Sequence, residues 1–151
     1  MDDLITILAR AKARATEKKL LYAGALLPAE ANAILQANSD AQLVDVRTKA
    51  ELNWVGRVPG ALTIEWNSWP GGEKNPRFIE ELKAGVPSTQ GPLMFLCRSG
   101  ARSHNAAETA TQAGYSNCFN VLEGFEGDKD ENGHRNILGG WRAAGLPWVQ
   151  S

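Results

Sequence analysis

A chain of 151 residues, 43% hydrophobic and 22% charged, has the length and balance of one globular domain with a single good core. Its formal net charge of −1 supplies no global field for nucleic acid or an anionic membrane, and no apolar run approaches a membrane span. Two cysteines, Cys97 and Cys118, are too few for a disulfide scaffold, and the first stretch, MDDLITILARAKARATEKK, lacks a secretory pattern; both point to reduced thiols in a cytoplasmic protein.

Leu4, Ile7, Leu8, Ala11 and Ala15 recur at helical spacing between charged residues, so residues 2–19 read as an amphipathic helix. Its apolar stripe thins to alanine, which predicts loose docking on the domain. Pro28 opens a second helix, PAEANAILQAN. QLVDV is a short buried strand. Thr48 and Glu51 have capping-box spacing at the start of a short helix that Gly56 closes. VPGALTIEW turns at Pro59-Gly60 and becomes a strand. A helix starts at Asn75-Pro76 and ends at Gly85; PLMFLC is a strand; SHNAAETATQAG is a helix ended by Gly114; NCFNVL is a strand; GGWRAAG is a last helical turn or two. Strands that are apolar throughout, alternating with helices, predict a three-layer α/β fold with a mostly parallel sheet of four or five strands flanked by helices. Residues 67–76 and 126–138 are long polar connections of the kind that carry function or move.

The stretch LMFLCRSGARSHNAAE carries the chemistry. Ligands of an open parallel sheet sit at the carboxyl ends of its strands, where this reading puts Cys97. Residues 98–102 then form a tight loop into a helix beginning near Ser103. The amides of such a loop and the positive helix end make an anion cradle; Gly100 lets the backbone curl, and Arg102 braces the loop or meets an anion. A thiol there is expected to ionise readily. Ionisation alone is a small gain, because a less basic thiolate is a weaker nucleophile. The larger use of the cradle is to bind an anionic substrate and to stabilise an anionic group left on the sulfur.

CRSGARS resembles the active-site loop of the rhodanese family, cysteine-based sulfurtransferases. LVDVRTKAEL resembles that family's strand ending in Asp-x-Arg, here Asp45 and Arg47; GRVPGA resembles its glycine-proline turn; and VLEGF with GGWRAAGLPW resembles its C-terminal pattern. The resemblance covers about residues 24–149, leaving 1–23 as an N-terminal helix and linker and 24–151 as a rhodanese-like domain. It implies that the Cys97 thiolate takes the outer sulfur of a donor such as thiosulfate or a persulfide, and that a persulfide on Cys97 is held by Arg98, Ser99, Gly100, Ala101, Arg102 and Ser103. A thiol or cyanide acceptor then removes that sulfur, in two-step covalent catalysis without a cofactor. Asp45 and Arg47 are expected to support the loop through hydrogen bonds rather than to react. A sulfur-relay protein is a further possible partner. Two rivals stay open: a binding module of the same fold, non-catalytic or receiving sulfur from another protein's persulfide, and a related cysteine phosphatase or arsenate reductase. The four residues between Cys97 and Arg102 argue against the second, whose loop is one residue longer.

Arg57 stands where many family members carry histidine. The segment EGDKDENGHRNIL, inserted before Gly139, is expected to border the cysteine mouth and to bias which acceptor reaches it. Asp128, Asp130 and Asn132 open like a calcium loop, but the twelfth position is Gly139 and a plain turn is the better reading. No cluster has metal-ligand spacing. His104 is expected to face solvent, Cys118 to be a buried inert thiol, and Trp66 or Trp69 to wall the site.

Overall fold

The computed structural model describes residues 3–150; Met1, Asp2 and Ser151 lie outside them, and with them the first residue of the predicted helix 2–19. Helix α1 (Leu4–Lys18) starts at an Asp3 cap whose carboxylate accepts the Thr6 amide at 2.8 Å. There follow β1 (Gly24–Leu26), α2 (Pro28–Ala37), β2 (Gln42–Asp45), α3 (Lys49–Trp54), β3 (Leu62–Thr63), α4 (Phe78–Gly85), β4 (Leu93–Leu96), α5 (Ala101–Gln112) and β5 (Cys118–Val121). The five strands form one wholly parallel sheet in the order β1-β5-β4-β2-β3.

Both faces of the sheet are covered, which is why β4 is apolar at every position. Leu93 and Phe95 face α4 and α5, packing with Phe78, Leu82, Ala106 and Ala110. Met94 and Leu96 face α1 and α2, packing with Ile7, Ala11, Ala31 and Ile34. The expected three-layer α/β architecture is therefore what forms, with β4 at the centre and Cys97 one residue beyond its carboxyl end.

Four details differ from the expectation. Strand β1 is too short to show periodicity in the sequence. The alanine stripe of α1 packs closely rather than loosely: a Cβ added to Gly24 would lie 2.8 Å from the Ala11 carbonyl carbon. Helix α5 begins at Ala101, two residues early, so Arg102 is already helical and the loop shrinks to residues 98–100. The last segment forms hydrogen-bonded turns in place of a helix, because Gly140 and Gly145 take positive φ values of 109° and 74°.

Candidate active site

The central strand delivers Cys97 to the loop buried, with 1% of its surface exposed. Its sulfur accepts the Gly100 amide at 3.1 Å and faces the Ser103 hydroxyl at 3.3 Å. Gly100 reaches that position with φ of 111°, a left-handed conformation that favours glycine. Arg98, the next residue in the chain, is exposed and makes no ion pair among the described residues. Ser99 is half-buried, and Ala101 is exposed on the first turn of α5. Ser103, in that same turn, is buried and donates to Asn120 Oδ1 at 2.5 Å.

Arg102 braces the loop. Its guanidinium grips the Glu51 carboxylate through two bonds, Nη1–Oε1 at 2.8 Å and Nη2–Oε2 at 2.9 Å. Burial pushes the Glu51 carboxyl up, but the Arg102 hydrogen bonds and charge, with help from Thr48, override that and bring it to about 2. Glu51 is legible in the sequence only as the partner of Thr48 in the capping box.

Asp45 and Arg47 are fully buried and paired with each other, Arg47 Nη2 to Asp45 Oδ2 at 2.7 Å. Arg47 also donates to the Gly56 carbonyl at 2.8 Å and stacks on the Phe125 ring at 4.2 Å. Their link to the loop runs through Phe125, whose amide donates to the Cys97 carbonyl at 2.8 Å. The amides of Glu126 and Gly127 take the Arg98 carbonyl at 3.0 and 3.2 Å. Gly124 permits this approach, since a Cβ there would sit 2.5 Å from the Arg98 carbonyl.

Beside the loop lies an open groove of about 720 Å³. Residues 67–72 form one wall with Trp69, α3 forms the other with Trp54, and Arg98 and Arg102 lie at the loop side. These two tryptophans are 69% and 78% exposed. Trp66 instead lies in the core against Phe78. The inserted segment hydrogen-bonds the loop at its start, through Glu126 and Gly127, and residues 128–138 do not line the groove.

His104 does not simply face solvent. Its Nδ1 meets the Tyr22 hydroxyl at 2.7 Å and its Nε2 lies 3.3 Å from Glu108. Burial raises the Tyr22 phenol pKa, against a hydrogen bond from Asn120. Asn120 and Tyr22 escaped the sequence reading; the one available signal was a polar side chain inside the apolar run CFNV. Cys118 is buried, and desolvation raises its thiol to about 11, against a hydrogen bond from Thr111. Among the described residues there is no group of histidine, cysteine and carboxylate side chains that would hold a metal ion, and no helix long and apolar enough to cross a membrane.

The family model described as Rhodanese-like domain matches residues 27–131. An uncharacterised protein of Rickettsia conorii is 36% identical over 118 residues, covering 76% of this chain and 88% of its own. A sulfurtransferase of Allochromatium vinosum is 30% identical over 91 residues, covering 60% of this chain and 74% of its own. The crystal structure of Rv0390 from M. tuberculosis superposes with a TM-score of 0.78 at 43% identity, covering 86% of this chain and 99% of that one. With its parallel five-stranded sheet and a cysteine at the mouth of the central strand, the chain belongs to the rhodanese-like domain family.

Proposed function

We propose that the protein is a sulfurtransferase that carries sulfane sulfur as a persulfide on Cys97, taking it from a donor such as thiosulfate and giving it to a thiophilic acceptor. The observation that carries this reading is the sulfur of Cys97 facing the Gly100 amide at 3.1 Å and the Ser103 hydroxyl at 3.3 Å, with the exposed Arg98 next in the chain and lining the groove. Arg98 draws the anionic donor. The thiolate attacks the donor's outer sulfur, the donor's S–S bond breaks, and sulfite leaves with the bonding electrons. The new persulfide projects one S–S bond, about 2 Å, beyond Sγ. Amide and hydroxyl donors already aimed at Sγ stabilise the anion left there. An acceptor thiolate or cyanide then attacks the outer sulfur and releases the Cys97 thiolate.

Two observations favour this over oxyanion hydrolysis or arsenate reduction. The loop is short, and Glu51 holds Arg102 through both terminal nitrogens, which ties its guanidinium to α3. The groove is far larger than cyanide needs, which supports a thiol acceptor, on a small molecule or a sulfur-relay protein. Two free buried thiols fit a reducing, cytoplasmic setting.

The test is intact mass after reduced protein is mixed with thiosulfate, beside Cys97→Ser and Cys118→Ser. One added sulfur is expected in the native chain and in Cys118→Ser, and none in Cys97→Ser. No gain in folded, reduced native protein excludes thiosulfate as donor and moves the reading to a domain loaded by another protein's persulfide.

A further inference from the structure

Asn120 puts an amide into β5, a strand buried at all four positions, and only 4% of its surface is exposed. A buried amide is costly unless its hydrogen bonds are made. The backbone of Asn120 sits in the parallel ladder opposite Ala25 and Phe95, so the sheet itself makes no use of the side chain. Both side-chain bonds leave the sheet for the cysteine loop and the helix that follows it. Nδ2 donates to the Gly100 carbonyl at 3.2 Å, and Oδ1 accepts from the Ser103 hydroxyl at 2.5 Å. A carbonyl can only accept, which fixes the amide with Nδ2 toward Gly100 and Oδ1 toward Ser103.

These are the same residues whose groups face Cys97 Sγ, the Gly100 amide at 3.1 Å and the Ser103 hydroxyl at 3.3 Å. Each needs an anchor from outside. Gly100 stands at φ of 111° with no side chain to pack, and its carbonyl takes Asn120 together with the His104 amide at 3.2 Å. Thr16 and Thr111 show the usual outlet of a helical hydroxyl, the carbonyl four residues back, at 3.1 and 2.8 Å. Ser103 lies in the first turn of α5, and the residue four back, Ser99, precedes the helix. Its hydroxyl is held by Asn120 instead. When negative charge develops on the sulfur, the charge-assisted bond is the stronger of the two, and the hydrogen turns to Sγ from an oxygen already in place. An unheld hydroxyl would have several staggered positions to search.

We propose that Asn120 is a positioning residue for the reaction at Cys97: its amide clamps Gly100 by the carbonyl and Ser103 by the hydroxyl, so that both groups facing the sulfur are held from β5. This rests on the reading of Cys97 as sulfur carrier and adds to it a residue that touches neither the sulfur nor the donor.

The experiment follows the loading of Cys97 from thiosulfate, by rapid quench and intact mass, in native protein, Asn120→Leu, Ser103→Ala and the double variant. Leucine is close to asparagine in size, lacks its hydrogen bonds, and leaves the Gly100 carbonyl its bond to His104. At saturating thiosulfate, Asn120→Leu is expected to load about tenfold more slowly than native, the scale of losing two modest hydrogen bonds. The half-saturating concentration is expected to stay within about twofold, because Arg98 is untouched. The double variant is expected to lose less than the product of the two single losses, since both changes act on one hydroxyl. A native or faster rate at saturation, a loss confined to the half-saturating concentration, or losses that multiply would overturn the proposal. Asn120→Ala, which adds no bulk, takes the place of Asn120→Leu if that chain does not fold, with the same outcomes.

A second arm needs no sulfur donor. Hydrogen exchange of the Gly100 amide, followed by NMR, is expected to be about tenfold faster in the Asn120 variant, with the amides of β4 and β5 unchanged. Unchanged exchange at Gly100 overturns the clamp. If native protein takes up no sulfur, thiosulfate is excluded as donor, and the exchange at Gly100 alone decides the role of Asn120.

Discussion

Arg102 and Glu51, 51 positions apart in the chain, close a two-bond ion pair of 2.8 and 2.9 Å that fastens the first turn of α5 to α3. Glu51 also accepts the Thr48 amide at 3.1 Å, so one carboxylate caps one helix and anchors the other. Its pKa, about 2 in the folded chain, lies below the ordinary 4.5. A depressed carboxylate contributes stability above its unfolded pKa and loses it as pH falls through the folded one. The native protein is therefore expected to lose up to about 3 kcal/mol between about pH 5 and pH 2 through this group. Glu51→Gln removes that part of the slope. Urea unfolding of both proteins across this range checks it; parallel pH profiles would exclude the ion pair as a source of acid sensitivity.

Asp45→Asn is expected to cost stability before it costs chemistry. It leaves the Arg47 cation buried with a weakened partner, a change in the range of about 3 kcal/mol. Thermal unfolding should show a clear drop in Tm, while single-turnover sulfur transfer at low temperature stays close to native. Unchanged Tm with abolished turnover would instead make Asp45 a participant in the reaction.

Gly124→Ala should damage the loop from outside. The position has φ of 63°, and the new methyl group would press on the Arg98 carbonyl. We expect a stability loss above about 1 kcal/mol and slower persulfide formation, measured by stopped-flow fluorescence and mass spectrometry.

Trp69→Ala and Trp54→Ala test the groove. Both rings are exposed, so stability should change by no more than about 0.5 kcal/mol. KM for a bulky thiol acceptor should rise several-fold, with loading from thiosulfate and transfer to cyanide unchanged. Equal loss with every acceptor would assign the tryptophans to the shape of the loop.

What the sequence discloses here is what is local. Cys97 at the end of an apolar run, the small residues after it and the Thr48 box declare themselves within a few positions. Glu51 shows only its local duty, because its partner Arg102 lies 51 positions on. Tyr22 and His104 are 82 apart and meet only once β1 pairs with β5. Helix α5 starts two residues before the point its sequence suggests, because Ala101 and Arg102 have no local mark of a helix and Gly100 is the cap. In the final segment, the helix-forming WRAA is overruled by the glycines on either side.

The amides of Phe125, Glu126 and Gly127 occupy the carbonyls of Cys97 and Arg98, and Gly124 in turn accepts the Trp141 amide at 2.9 Å. Two peptide oxygens at the reactive loop are thus turned away from it by residues that follow the last strand. During synthesis those residues emerge after the whole sheet has been made. A nascent chain can hold its core and its cysteine while the loop lacks these outer ties. Chemical competence is then the last property the chain acquires, and it should lag behind the appearance of native secondary structure in refolding.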